Sequence, residues 1–303
     1  MALLLEATMF DLSAYTKPTH PVPSRHPSVT PMTPAQAKST AAALLQSGLS
    51  NALANMLDFL ATCDVCISTH LNVAGRTARK YLKQRILDRF PYTTPDLQEI
   101  FDTYGLPYPP EERLAIYTLG PVGIHLAKMR LGYQPSALFL ALPLEQVMRR
   151  LALNEVILRL ANKAVESGWV SYWVGSQRAA LQKDGKPFFV PDAMLRLRKE
   201  TQERVYLLAY QDTERPQHTV NIIRTHEAAA YSRLWYEQWE VDTFPPVVLI
   251  YRKSIVGRWY ADSLQNTSGT QVAFYGRSLE NALKPVPDWY NFHTKAKENI
   301  FPW

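Results

Sequence analysis

Hydrophobic spacing divides the chain into stretches of different period. From Thr33, with Pro34 suited to a first helical turn, apolar residues recur through Ala42, Leu44, Leu45 and Leu49 and predict a helix. A second apolar helix follows Ser50 over Leu53 to Leu60, and a short third element runs from Ser68 to Val73. After Gly75, the residues Ala78, Leu82, Ile86 and Phe90 repeat at helical spacing, so a fourth helix is expected from Arg76 to Arg89, closed by Pro91. A turn rich in proline (Pro107, Pro109, Pro110) precedes the strand-like run Ala115 to Leu119, and a helix from about Pro121 to Arg130 completes the block.

After a loop around Gly132 to Pro143, a long amphipathic helix is expected from Leu144 to Ser167, stopped by Gly168. The period then changes to that of strands. β-rich runs occur at Val170 to Val174, Phe188 to Leu197 and Val205 to Tyr210, the last two reading as a hairpin. A helix from about Thr219 to Glu240, an apolar strand from Val247 to Tyr251, a helix from Ser254 to Leu264 and a strand from Gln271 to Tyr275 follow. Strands alternating with helices predict a mixed sheet covered on both faces, so the fold class is α/β, or α+β over the whole chain. The expected organisation is a Pro-rich arm (1–35), a helical domain (36–135), an α/β domain (144–285) and a C-terminal tail (286–303). The tail ends in Ile300-Phe301-Pro302-Trp303, apolar enough to dock on its own domain or on a partner.

Composition, at 303 residues with 47% hydrophobic and 20% charged, is that of a soluble globular protein. The formal net charge of +6 says little when spread over the chain, but its distribution is uneven. Between Gly75 and Phe90 stand Arg76, Arg79, Lys80, Lys83, Arg85 and Arg89 against one acid, Asp88. With one face of the helix packed, the other is cationic. Such a helix after a short helix and a turn suits the major groove of double-stranded DNA, arginine pairing with guanine edges and the later basic residues touching phosphates. The candidate DNA-binding residues are therefore Arg76, Thr77, Arg79, Lys80, Lys83 and Arg85, the alternative being a solvated basic face.

Other features carry less. Cys63 and Cys66 form a single CxxC without the further ligands that a structural zinc needs, which favours small buried residues in a reducing cytoplasm. The opening MALLLEATMF lacks a basic start and is too short to span a bilayer, so neither a secretion signal nor a membrane span is expected. The aromatic run Tyr231, Trp235, Tyr236 and Trp239 reads as core or interface, and Arg196, Arg198, Lys199 and Arg204 as a second basic patch or a solvated loop. No GxSxG setting or P-loop glycine pattern occurs.

The block from 51 to 129 resembles a winged helix-turn-helix, with Asn51 to Thr62, Ile67 to Val73 and Arg76 to Arg89 as its helices and Ala115 to Leu119 returning from the wing. It is followed by NEVILRLANKAVESGW, KPFFVPDAMLRL, ERVYLLAYQDTERP, a long helix ending near WYEQW, and FPPVVLIY. In this order, over about 50–265, the chain resembles the replication-relaxation family of bacterial mobile elements. The resemblance implies a winged helix joined to a restriction-endonuclease-like domain related to the PD-(D/E)XK nucleases, and a role in plasmid replication or DNA relaxation. A nuclease of that kind holds magnesium between an Asp at a strand start and an acid on the next strand. Asp192 matches the first, but Ala209, Tyr210 and Gln211 stand where an acid, any residue and a second acid are implied, and Asp212 and Glu214 lie just beyond. The expectation is a DNA-binding protein of a plasmid or mobile element, acting in replication, transposition or transcription control. It needs no cofactor, and its inactive nuclease-like domain serves dimerisation or partner recruitment. The alternatives are a magnesium-dependent nuclease or nickase using Asp192, Asp212 and Glu214, and an assembly subunit of a larger nucleoprotein complex.

Overall fold

A computed structural model describes residues 10–11, 32–71, 73–108, 113–133, 135, 143–267, 269–284 and 287–303. Most of the Pro-rich arm and the proline turn at 109–112 lie outside the described residues. The protein is mixed α/β and divides into two compact units, one mainly 14–155 and one mainly 156–303.

In the first unit, α1 (Pro34–Gln46) starts from a reciprocal cap: the Thr33 hydroxyl accepts the Gln36 N–H at 3.2 Å and the Gln36 side chain accepts the Thr33 N–H at 2.8 Å. α2 (Asn51–Cys63) starts on the Ser50 hydroxyl and buries Met56, Leu57, Phe59 and Leu60. β2 (Val65–Ile67), a single 3-10 turn (Ser68–His70), α3 (Gly75–Lys83), β3 (Leu87–Arg89), α4 (Thr94–Tyr104), β4 (Ile116–Leu119) and α5 (Pro121–Leu131) follow; a two-residue strand near the start of the chain, β1 (Phe10–Asp11), belongs to the main sheet described below. The antiparallel sheet has the order β2-β4-β3, with the returning strand in the middle and buried along its length. Cys63 and Cys66 are buried free thiols, and burial pushes the Cys63 thiol well up.

The fourth helix is shorter than its spacing predicts, because α3 ends at Lys83. Arg85 takes φ +57°, the Arg85 N–H bonds the Leu82 carbonyl and the Ile86 N–H bonds the Tyr81 carbonyl, each at 3.0 Å. This pairing is the Schellman helix stop, here with arginine where glycine is usual, and the buried pair Tyr81 and Ile86 closes over it. Ile86 and Phe90 therefore belong to the following turn and strand end, and Arg89 to β3.

In the second unit, α6 (Leu144–Glu166), whose first half belongs to the first unit, leads to β5 (Val170–Gly175), α7 (Ser176–Ala179), β6 (Leu181–Lys183), β7 (Lys186–Phe189), β8 (Ala193–Lys199) and β9 (Gln202–Tyr210). Then come α8 (Pro216–Ser232), α9 (Leu234–Gln238), β10 (Val247–Tyr251), α10 (Ser254–Gln265), β11 (Phe274–Ser278), α11 (Leu279–Ala282), β12 (Asp288–Asn291) and β13 (Lys297–Asn299). The main sheet has the order β1-β5-β8-β9-β10-β11-β12-β13. β9, β10 and β11 run parallel to their neighbours among themselves, and β5, β8, β12 and β13 pair antiparallel. The expected strand Phe188–Leu197 is broken before β8 by Pro191, which has no N–H to offer a ladder. The expected helix Thr219–Glu240 is broken at Arg233, at φ +56°. The sheet runs on past residue 285, and the tail docks on its own unit: Phe301 packs on Tyr206 with ring centres 4.6 Å apart, and the Tyr206 hydroxyl donates to the Ile300 carbonyl.

His226 sits inside this unit, packed against Phe189 and Phe274 and bonded through Nδ1 to the Ile222 carbonyl at 2.9 Å. Burial holds its pKa down at about 4, against an unfolded value near 6.5. A depressed histidine is neutral in the fold, so its contribution is complete above the unfolded value and is lost as pH falls from about 6.5 towards 4. Urea unfolding at pH 7.5 and 4.5 is expected to show His226→Phe losing about 2.5 kcal/mol less stability than the wild type between the two. Equal losses contradict it.

Candidate nucleic-acid interface

α3 has no side-chain N-cap, and the Thr77 and Ala78 N–H groups bond the Ala74 carbonyl at 2.8 and 3.0 Å. It is fixed by packing. Ala78 and Tyr81 are buried and Leu82 half-buried, so the helix presents Arg76, Arg79, Lys80 and Lys83 to solvent, with Thr77 half-exposed between them. No acid stands in its first turn, and none of these four cations makes an ion pair with a described residue. Lys80 and Lys83 suit the negative end of the helix dipole, while Arg76 at the positive end does not, an electrostatic cost that an anion would relieve.

Arg85 does not join this face. It is 5% exposed and its Nη2 lies 2.8 Å from Asp88 Oδ2, with both side chains 6% exposed. It belongs to the anchor of the helix. The Gly120 N–H donates to the Ile86 carbonyl at 2.8 Å and the Val122 N–H to the Arg85 carbonyl at 3.0 Å, which docks the start of α5 against the turn that ends α3. Only glycine fits there: a Cβ on Gly120 would stand 2.4 Å from the Arg85 oxygen, and one on Gly123 2.1 Å from the Ile86 oxygen.

The three candidate acids of the second unit each have a different neighbour. Asp192 accepts the Tyr210 N–H at 3.2 Å, closing the end of the β8–β9 ladder. Asp212 is buried with Arg252 Nε at 3.8 Å, and exposed Glu214 pairs with Lys253. Gln211 faces His218 at 3.3 Å. The hydroxyl of Tyr260, near Asp192, is buried without a hydrogen bond to a described residue, and burial raises its pKa, with the carboxylate adding to the effect. Among the described residues no three His, Cys, Asp or Glu side chains come together as a metal site. Asp192 and Glu214 are engaged by a backbone amide and a lysine, so among the described residues the three carboxylates are not arranged as a magnesium site.

The second basic patch is largely structural. Buried Arg196 grips Glu203 with two nitrogens at 3.2 and 3.0 Å, and Lys199 donates to the Ser167 carbonyl. Trp235 and Trp239 are buried and donate to the Ala230 and Ala179 carbonyls, while Tyr231 and Tyr236 are exposed.

A feature missed by the sequence reading lies at the far end of β3. There Arg89, Tyr92, Thr93, Thr94 and Arg113 line a pocket of about 320 Å³. The sequence hid it because Arg89 reads as helical and α4 is not apparent from the spacing. Across the sheet, Cys66, Tyr117 and Arg89 form one row. Burial raises the Tyr117 phenol, Arg89 and Arg113 pull it down, and Cys66 raises it. Arg89 stands opposite Tyr117 in the sheet, and Arg113 lines the same pocket as Arg89.

Compared with known protein families, curated proteins and solved structures, the chain matches none. No helix among the described residues is long and apolar enough to cross a membrane.

Proposed function

We propose that the protein binds double-stranded DNA through the exposed face of α3. The carrying observation is the helix itself: Arg76, Arg79, Lys80 and Lys83 exposed without ion partners among the described residues, on a segment clamped at its C-terminal end by the Arg85–Asp88 pair and the Gly120 and Gly123 contacts. The order helix, strand, short turn, helix, strand and returning central strand supports reading this unit as a winged helix, with α4 carried inside the wing. Arg76, Thr77, Arg79 and Lys80 would face base edges and Lys83 phosphates. In the second unit, the hairpin β8–β9 followed by α8 and parallel β10 supports the PD-(D/E)XK-like reading. The amide bond on Asp192 and the lysine on Glu214 favour a non-catalytic role in pairing or recruitment. A plasmid or mobile-element protein acting in replication, transposition or transcription control, in the manner of the replication-relaxation family, fits this combination.

Fluorescence anisotropy with duplex DNA is expected to show binding that Arg76→Ala with Arg79→Ala weakens at least tenfold, since each arginine–guanine pair is worth about 1–3 kcal/mol. Wild type that ignores duplex, or a double variant that binds as wild type, overturns the proposal. Plasmid cleavage with magnesium, abolished in Asp192→Ala, would instead make the second unit a nuclease.

A further inference from the structure

Among the described residues that line it, the pocket at the end of β3 holds two cations and no acid. Neither the Arg89 nor the Arg113 side chain makes an ion pair or hydrogen bond with a described residue, and Glu111 and Glu112 lie outside the described residues. Arg89 Nε is shielded from solvent and has no partner among the described residues, although the residue as a whole is half-buried. An unmet buried N–H costs about 1–3 kcal/mol, more when the group is charged, so the site is poised for an acceptor. Arg113 is exposed at the mouth, so the pocket is open to ligand. Asp96, on the adjoining helical turn, is engaged by the Thr93 amide and hydroxyl at 2.8 and 2.7 Å. The Thr94 hydroxyl, at 3.4 Å from the Leu114 carbonyl, is only loosely engaged. Two guanidinium groups around one small cavity repel each other unless an anion lies between them, and a planar fork of N–H donors matches the oxygens of a phosphate.

We propose that this pocket binds a single phosphate group between Arg89 and Arg113. The phosphate is either a backbone diester of duplex DNA or a free inorganic phosphate, and only the first source rests on the DNA-binding reading above. As a diester site, it would grip the backbone from the β3–β4 side of the unit while α3 supplies a separate contact.

Both sources are tested on the full chain as wild type, Arg89→Gln and Arg113→Gln. In the first arm, thermal unfolding is followed in inorganic phosphate against chloride of equal ionic strength. In the second, duplex affinity is measured across a salt series. A diester contact is expected to lower the magnitude of the slope of log affinity against log salt by about one unit in each variant. A free-phosphate site gives instead a phosphate-specific rise in the wild-type melting temperature that both variants lack. If both variants match wild type in both arms, the proposal is wrong. If wild type binds no duplex, the DNA-binding reading fails while the phosphate arm still decides the pocket. Should Arg89→Gln misfold, Arg113→Gln decides alone, because that side chain is exposed.

Discussion

Gly123→Ala is expected to destabilise the first unit by about 3 kcal/mol, although it adds one methyl group to a helix. The added carbon would stand 2.1 Å from the Ile86 carbonyl oxygen and 3.1 Å from a Leu119 methyl. That oxygen cannot withdraw freely, because it accepts the Gly120 N–H at 2.8 Å. Relief therefore requires α5 to lift from the turn that ends α3. Alanine's better helix propensity, about 1 kcal/mol over glycine, offsets only part of the cost. Gly75→Ala is the control, since nothing lies within 4 Å of a Cβ there. Urea unfolding of the two variants should separate them clearly, with Gly75→Ala near wild type. An unchanged midpoint for Gly123→Ala would mean that the helix and the turn are not in this contact.

Asp88→Ala should cost about as much, roughly 3 kcal/mol, by leaving the buried Arg85 guanidinium without its carboxylate. The site carries a second burden, because Arg85 is a side-chain-bearing residue at φ +57°, a conformation that costs roughly 1–2 kcal/mol outside glycine. The combined variant Arg85→Gly with Asp88→Ala removes the stranded charge and relaxes the backbone together. It is expected to be more stable than Asp88→Ala alone, a non-additive result read from chemical denaturation. If Asp88→Ala lies within about 0.5 kcal/mol of wild type, the ion pair does not anchor the turn.

These two sites also explain what the sequence disclosed. The helices with a proline in the first turn, α1 after Thr33 and α5 after Gly120, stand close to their expected places, as do α10 and the uniformly apolar β10. The end of α3 was hidden, because its stop uses arginine in place of glycine and because Ile86 and Phe90 continue the apolar spacing by coincidence of two different structures. α4 left a local signature, Thr93 with Asp96 and buried Leu97 and Phe101, but its short apolar face was lost among prolines. β12 and β13 are short, half-polar strands whose pairing is decided by the edge they join, which no local pattern reveals. At the candidate interface, the exposure of Arg76, Arg79, Lys80 and Lys83 followed from helical spacing, whereas the burial of Arg85 and the convergence of Arg89 with Arg113 depend on contacts distant in sequence.

The cations of α3 lie at spacings of three and four residues, Arg76 with Arg79 and Lys80, and Lys83 with Arg79 and Lys80. Each such like-charge neighbour costs a free helix about 0.2–0.5 kcal/mol, and dissolved ions screen that repulsion. Raised ionic strength therefore eases the folded helix in isolation, while it would weaken the hold on a polyanion proposed above. On that proposal the same few side chains would give the protein opposite responses to salt, one in its own stability and one in its association.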